Sequence, residues 1–398
     1  MLETSSTRSV CSLAHPLELR AAGTAAVAAQ NALVVDREAR FPVEAFAAAR
    51  EQRLLGILVP TELGGENASM ADVVDICYML SVACGATGMI FAMHQIMAAI
   101  LVRHAQNSTW HRLLLRRLAD EQLLLASSTT EGQGGGDLRS SVCAVERTGS
   151  HMALVKSATV MSYGAQADAI LTTARRSPDA LASDQVLVAL LKDDYQLEPI
   201  MEWDTLGMRG TCSSGFTLKG TGKIDQVLPD SYQKIQAETM MPVAHLTWSA
   251  VWAGLAAGAV ERARRFVRNS AHNGNGQVPP GAANLTRASM SLRALTGIIA
   301  SALERYETVS AEEDELQSLD FQNAMNLLKV TTSELAISTV MSTMQICGLA
   351  GYRNDGEFSI SRYLRDVLSS SLMINNDRIL ANSATAALVI EAPRTLRN

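Results

Sequence analysis

The segment Thr129-Thr130-Glu131-Gly132-Gln133-Gly134-Gly135-Gly136-Asp137 follows an apolar run, Leu123 to Ala126, and four of its nine residues are glycine. Glycines directly after a strand-like run let the backbone approach a ligand closely and turn N–H groups toward it. The two threonines add hydroxyls that can donate or accept. The natural guest of such a loop is a phosphate-bearing or heteroaromatic cofactor, and the alternative is a flexible surface loop.

On either side of this loop the texture of the chain differs. Before it, Leu17 to Gln30 is alanine-rich and reads as helix, Pro42 opens a second helix where its missing N–H costs little, and Leu58 to Gly65 (LVPTELGG) is a helix exit and turn. Met70 to Arg117 reads as two helices broken near Ala105–Ser108. After the loop come short runs rich in β-branched residues: Val142–Val145, Ala153–Val155, Ala169–Thr173, Gln185–Leu191 and Gly215–Leu218. From Met241 the pattern is helical again, over Leu246–Ser270, Ala283–Glu307 and Leu319–Ile346, with a last helix from about Ile374. The expected fold class is α+β, mostly α. Three domains are expected: an N-terminal helical domain over 1–120, a central β domain over 121–238, and a C-terminal helical bundle over 239–398.

Composition excludes several function classes. The 398 residues carry a net charge of −6 and no dense basic run interleaved with aromatics, which argues against a nucleic-acid surface. The six cysteines are scattered, without a CxxC pair or zinc spacing, and read as reduced thiols of a cytoplasmic protein. Met1 to His15 lacks the apolar core of a signal peptide. Apolar stretches are interrupted by polar residues before the roughly 18 needed to span a membrane, so no membrane partner is expected.

Five motifs in register resemble the acyl-CoA dehydrogenase superfamily. Thr130 to Asp137 (TEGQGGGD) is similar to its TEPGAGSD loop, and Leu58 to Gly65 to its IPEEYGG turn. Leu206 to Gly210 (LGMRG), Gln345 to Gly348 with Gly351-Tyr352, and Tyr363 to Asp366 (YLRD) match its LGMRGSxT, QIxGGxGY and YRD segments. The resemblance spans nearly the whole chain. It implies the helical, β, four-helix-bundle architecture, with FAD between domains and across a subunit interface, in a homodimer or homotetramer. Carried over by position, Thr129 and Thr130 contact the flavin ring, and Gly135 and Gly136 face its pyrophosphate. Ser162 hydrogen-bonds near flavin N5, and Gln345 reaches the adenosine of a partner's FAD. Ser162 could equally be a loop hydroxyl and Gln345 a bundle-surface amide.

Three departures from the family pattern shape the functional expectation. Desaturation of a thioester needs a carboxylate base. The family's usual base position is Ile374 here, followed by Asn375-Asn376-Asp377, and the alternative base positions on the first bundle helix are Val251 and Trp252. Asp377 is therefore a relocated base or an acid facing a helix N-terminus. The loop whose arginine grips the FAD pyrophosphate reads Asn273 to Pro280 and places Gln277 there, which implies a weaker hold on the cofactor. Phe91-Ala92-Met93-His94-Gln95 lies on the helix that lines the family's acyl pocket, so the expected pocket residues are Phe91, His94, Gln95, Ile374 and Asn375. A pocket histidine resembles the oxygenating branch, which takes reduced flavin, often from a separate reductase, and O₂. His94 could position or protonate there, and its alternative role is a core histidine bonded to a backbone carbonyl. The expected function is an FAD-dependent oxygenase acting on a CoA- or carrier-bound thioester or a small cyclic or aromatic substrate, in secondary metabolism by analogy. His94, Ser162 and Asp377 are the candidate catalytic residues. The alternatives are an acyl-CoA or acyl-carrier-protein dehydrogenase and a catalytically silent member of the superfamily.

Overall fold

A computed structural model describes residues 16–132, 140–274 and 281–391. Among the described residues, five helices come first: α1 (Pro16–Glu38), α2 (Val43–Glu51), α3 (Met70–Ala83), α4 (Gly85–His104) and α5 (Thr109–Glu121). Seven strands follow: β1 (Leu125–Ser128), β2 (Glu146–Thr148), β3 (His151–Ala158), β4 (Ala169–Arg175), β5 (Gln185–Leu191), β6 (Tyr195–Met201) and β7 (Gly215–Lys223). The rest is helical: α6 (Tyr232–Ile235), α7 (Met241–Asn273), α8 (Ala282–Val309), α9 (Glu313–Gln317), α10 (Leu319–Cys347), α11 (Leu349–Tyr352), α12 (Ser361–Val367) and α13 (Asn376–Ala386). This is the expected helical, β, helical order.

Side-chain caps fix where several helices start. Ser69 and Asp72 form a reciprocal capping box on α3, and Ser108, Ser318 and Asn375 cap α5, α10 and α13. The Met70–Arg117 stretch holds three helices rather than two. The extra break is at Cys84, whose extended backbone (φ −150°, ψ 113°) ends α3. The apolar run is continuous across this point and hides the break. Behind it the helices pack closely: a Cβ on Gly88 would collide with the Ser81 side chain, and one on Gly254 with the Tyr78 carbonyl.

The strands form two sheets. One has the order β1-β4-β5, with β1 and β4 parallel, and the other the order β2-β3-β7-β6, wholly antiparallel. Val142–Val145 is not a strand, and only an isolated bridge joins Ala144 to Arg175. Conversely β6 has no clear signal, because Pro199 interrupts its pattern. It tolerates the proline at a sheet edge, where the register shifts between Pro199 and Met201.

One apolar core runs through helices and sheets, from Leu17 to Val367. Among the described residues two helical spans are long and apolar enough to cross a membrane, contrary to the sequence reading, yet their most apolar windows are 89% and 94% buried. They are the central helices of this core, α4 and the continuous Tyr232–Asn273 rod.

Candidate active site

The exits of β1 and β3 lie side by side. Thr130 Oγ1 donates to Val160 O at 3.1 Å, which joins the glycine-rich loop to the Val160–Tyr163 turn. That turn is strapped to a second loop, since Met161 N donates to Ser214 O (2.9 Å) and Tyr163 N to Thr211 O (2.8 Å). Tyr163, at φ 42°, reaches back so that its hydroxyl donates to Leu125 O at 2.9 Å. Between the straps runs a chain of hydroxyls: Ser162 Oγ to Ser213 Oγ (2.8 Å), Ser213 Oγ to Thr211 Oγ1 (2.7 Å), and Thr211 Oγ1 to Met208 O (2.8 Å).

The next link brings two sequence motifs together. Met208 of LGMRG donates its N–H to Asp366 Oδ1 of YLRD at 2.7 Å. Burial pushes the Asp366 carboxyl up to about 6, against the pull of the Arg362 guanidinium. Arg365 donates to Asp36 Oδ1 at 3.0 Å and to Leu206 O at 2.9 Å. The N-terminal helices, the β region and the bundle are therefore tied at one junction, directly behind Ser162.

Glu131 anchors the base of the glycine-rich loop. Its carboxylate accepts from Ser141 Oγ and Val142 N, both at 2.6 Å, and lies 3.2 Å from Lys156 Nζ. Lys156 is buried and also donates to Thr173 O (2.8 Å) and Oγ1 (2.6 Å). Burial drives the Glu131 carboxyl up, but the Lys156 charge and the donated hydrogen bonds outweigh it and hold the group below the usual range. Gly135, Gly136 and Gln277 lie outside the described residues.

The expected pocket residues separate into two groups. Phe91, His94 and Gln95 are wholly buried. His94 accepts Leu125 N on Nδ1 (3.0 Å), so its Nε2 carries the proton and donates to Leu55 O (2.8 Å). Burial pushes its imidazole down to about 4, which keeps it neutral. Gln95 Nε2 donates to Leu54 O at 3.0 Å. His94 and Gln95 thus pin α4 to the Leu54–Leu55 turn. With both ring nitrogens satisfied by backbone, His94 takes the core role and has no free nitrogen for a substrate or cofactor. This corrects its expected place in the pocket, because the face of α4 that carries it abuts backbone rather than a cavity.

Ile374 and Asn375 are exposed, on the turn before α13. Ile374 adopts φ 43°, a strained conformation for a β-branched residue. The buried Lys329 holds the turn from behind, donating to Ile374 O (3.0 Å) and Asn376 Oδ1 (2.7 Å), with its ammonium 5.6 Å from the Trp252 ring centre. Burial lowers the Lys329 ammonium to about 8. Asp377 is exposed in the first turn of α13, its N–H capped by Asn375 Oδ1. Val251 and Trp252 are fully buried. Gln345 is exposed on α10, near Gly281.

Sequence reasoning named Thr130 and Ser162 as candidates and did not name Thr211, Ser213, Lys156 and Lys329, whose side chains bond within or beside these turns. Ser213 and Thr211 follow the LGMRG motif within five residues, and that proximity was the available signal.

Models of the acyl-CoA dehydrogenase family match this chain, the N-terminal domain over residues 19–122 and the C-terminal domain over 235–386. Among curated proteins it is similar to a dibenzothiophene monooxygenase of Mycolicibacterium goodii, 21% identical with 81% of each chain covered. It is also similar to a probable acyl-CoA dehydrogenase of Mycobacterium tuberculosis, 22% identical with 88% of each covered. Among solved structures, FMN-bound TdsC from Paenibacillus sp. A11-2 superposes with a TM-score of 0.80 at 19% identity, covering 96% of this chain and all of that one.

Proposed function

The chain belongs to the acyl-CoA dehydrogenase family, and from that premise we propose that it uses reduced flavin and O₂ to oxygenate a CoA- or carrier-bound thioester or a small cyclic or aromatic substrate. Its cofactor is a flavin. The residues present fit one. The ends of β1 and β3 offer Thr129, Thr130 and Ser162, and the buried Ser128 hydroxyl beside them lacks a partner among the described residues. A flavin held there supplies two-electron chemistry, and in its reduced form the electrons that activate O₂.

One observation carries the oxygenase reading. Ile374 stands at the family's base position, and Val251 and Trp252, at the alternative positions, are apolar and buried. The buried Asp366 carboxylate is committed to Met208 N. FAD rather than FMN, and a dimer or tetramer, follow from the family pattern, with Gln345 exposed where a partner's adenosine would lie. A separate reductase and a cytoplasmic setting belong to the same reading.

The test is anaerobic mixing of the oxidised flavoprotein with saturated straight-chain acyl-CoAs. Loss of a general base costs roughly 10²–10⁴-fold in rate, so the oxidised-flavin absorbance is expected to persist. Rapid bleaching favours the dehydrogenase reading instead. Asp377 is the exposed carboxylate on the turn after Ile374, and loss of that bleaching in Asp377→Asn would identify it as the base.

A further inference from the structure

The hydroxyl chain has a direction. A carbonyl oxygen only accepts, so Thr211 Oγ1 spends its single hydrogen on Met208 O. Ser213, 2.7 Å from Thr211 Oγ1, must then donate to it. That uses the Ser213 hydrogen, so in the 2.8 Å contact with Ser162 the donor is Ser162. Among the described residues nothing else bonds the Ser162 hydroxyl, and its oxygen lone pairs are left to accept. Ser213 and Thr211 are buried, at 3% exposure each, so water does not compete for their hydrogens. The Met161–Ser214 and Tyr163–Thr211 backbone straps keep the two loops in register.

We infer that Ser213 and Thr211 are positioning residues that orient the Ser162 hydroxyl as a hydrogen-bond acceptor, and so set the site's preference for reduced over oxidised flavin. The inference rests on the proposal that Ser162 faces flavin N5. Reduced flavin carries a hydrogen on N5 and can donate it to Ser162. Oxidised flavin presents a bare N5 lone pair, which an accepting hydroxyl repels. A hydroxyl free to rotate would serve both forms. This chain fixes one polarity, the one suited to a protein that receives its flavin already reduced.

The test measures dissociation constants of FAD and FMN by anaerobic equilibrium dialysis, oxidised and dithionite-reduced, without substrate or O₂. The wild-type protein is expected to bind the reduced form more tightly. In Ser213→Ala the Ser162 hydrogen loses its acceptor and can turn to N5, so the ratio of oxidised to reduced dissociation constants should fall roughly tenfold, about one hydrogen bond. Thr211→Val should act in the same direction from one residue further away, because Ser213 is then free to donate to Ser162. Ser213→Thr, which keeps the hydroxyl, should restore the wild-type ratio. A ratio unchanged in both Ser213→Ala and Thr211→Val, with melting temperatures near wild type, overturns the inference. If one variant does not fold, the other carries the test. The measurement involves no turnover, so a protein that shows these shifts yet consumes no oxygen would keep the chain's role and lose the oxygenase reading.

Discussion

The node around His94 and the hydroxyl chain from Ser162 are both polar constructions set into apolar surroundings, and they end differently. In the first, every ring nitrogen meets a backbone partner: Leu125 N on one side, Leu55 O on the other. In the second, each hydroxyl spends its hydrogen on the next acceptor, and among the described residues the Ser162 oxygen accepts from none. A residue type suited to chemistry marks a site only where it keeps an unspent donor or acceptor. By that criterion the histidine is architecture, and the serine keeps an acceptor that a ligand could use.

Acid should separate the two regions most strongly. Burial lowers His94 and His245 to about 4 from 6.5, while their counterparts in the unfolded chain titrate at the ordinary value. Between those values the unfolded chain binds protons that the fold refuses, so stability falls as pH drops from about 6.5 to about 4, by on the order of 3 kcal/mol per histidine. Asp366 works in the other direction. Its carboxyl is raised to about 6, so protonation below that pH relieves a buried charge and offsets part of the loss. Urea titrations at a series of pH values should show the net acid loss, and His94→Gln should make it shallower. An unchanged slope would mean that His94 is not the neutral core group described here.

His94→Ala should cost about 3–5 kcal/mol, because it leaves Leu55 O and Leu125 N buried without partners and opens a cavity. Loss of substrate turnover with unchanged stability would break the comparison and return His94 to the reaction. Glu131→Gln should cost about 3 kcal/mol, since it leaves the buried Lys156 ammonium without its counter-charge. It should also expose the Ser141 region to proteolysis, whereas a mere surface contact would produce neither effect. Ser162→Ala is the mildest, with stability within about 1 kcal/mol of wild type. Its effect should appear in flavin affinity, chiefly for the reduced form.

The parts of the molecule legible in the sequence are those whose signal is contiguous. The glycine-rich loop after β1, the LGMRG turn and the YLRD segment were readable as motifs, and the last two meet at the Met208–Asp366 hydrogen bond. The long bundle helices followed from their apolar periodicity. Signals divided between distant segments were not legible. Ser162 and Ser213 are 51 positions apart and meet because two loops are strapped together. Lys329 gives no sequence sign that it will hold Ile374 O, 45 positions away. His94 was misplaced for a related reason. Helical spacing shows that a residue lies on the inner face, but not whether that face meets a cavity or a neighbouring backbone.

A flavin-binding fold without a carboxylate at either base position should not desaturate an acyl-CoA. Oxygen consumption tests this most directly, with the protein loaded with chemically reduced flavin and given candidate thioesters and small aromatic or cyclic compounds in turn. The expected result is oxygen uptake that yields an oxygenated product with at least one substrate class, while saturated acyl-CoAs leave the oxidised flavin unbleached. Rapid bleaching by an ordinary acyl-CoA, with an unsaturated product and no oxygen incorporated, would contradict it.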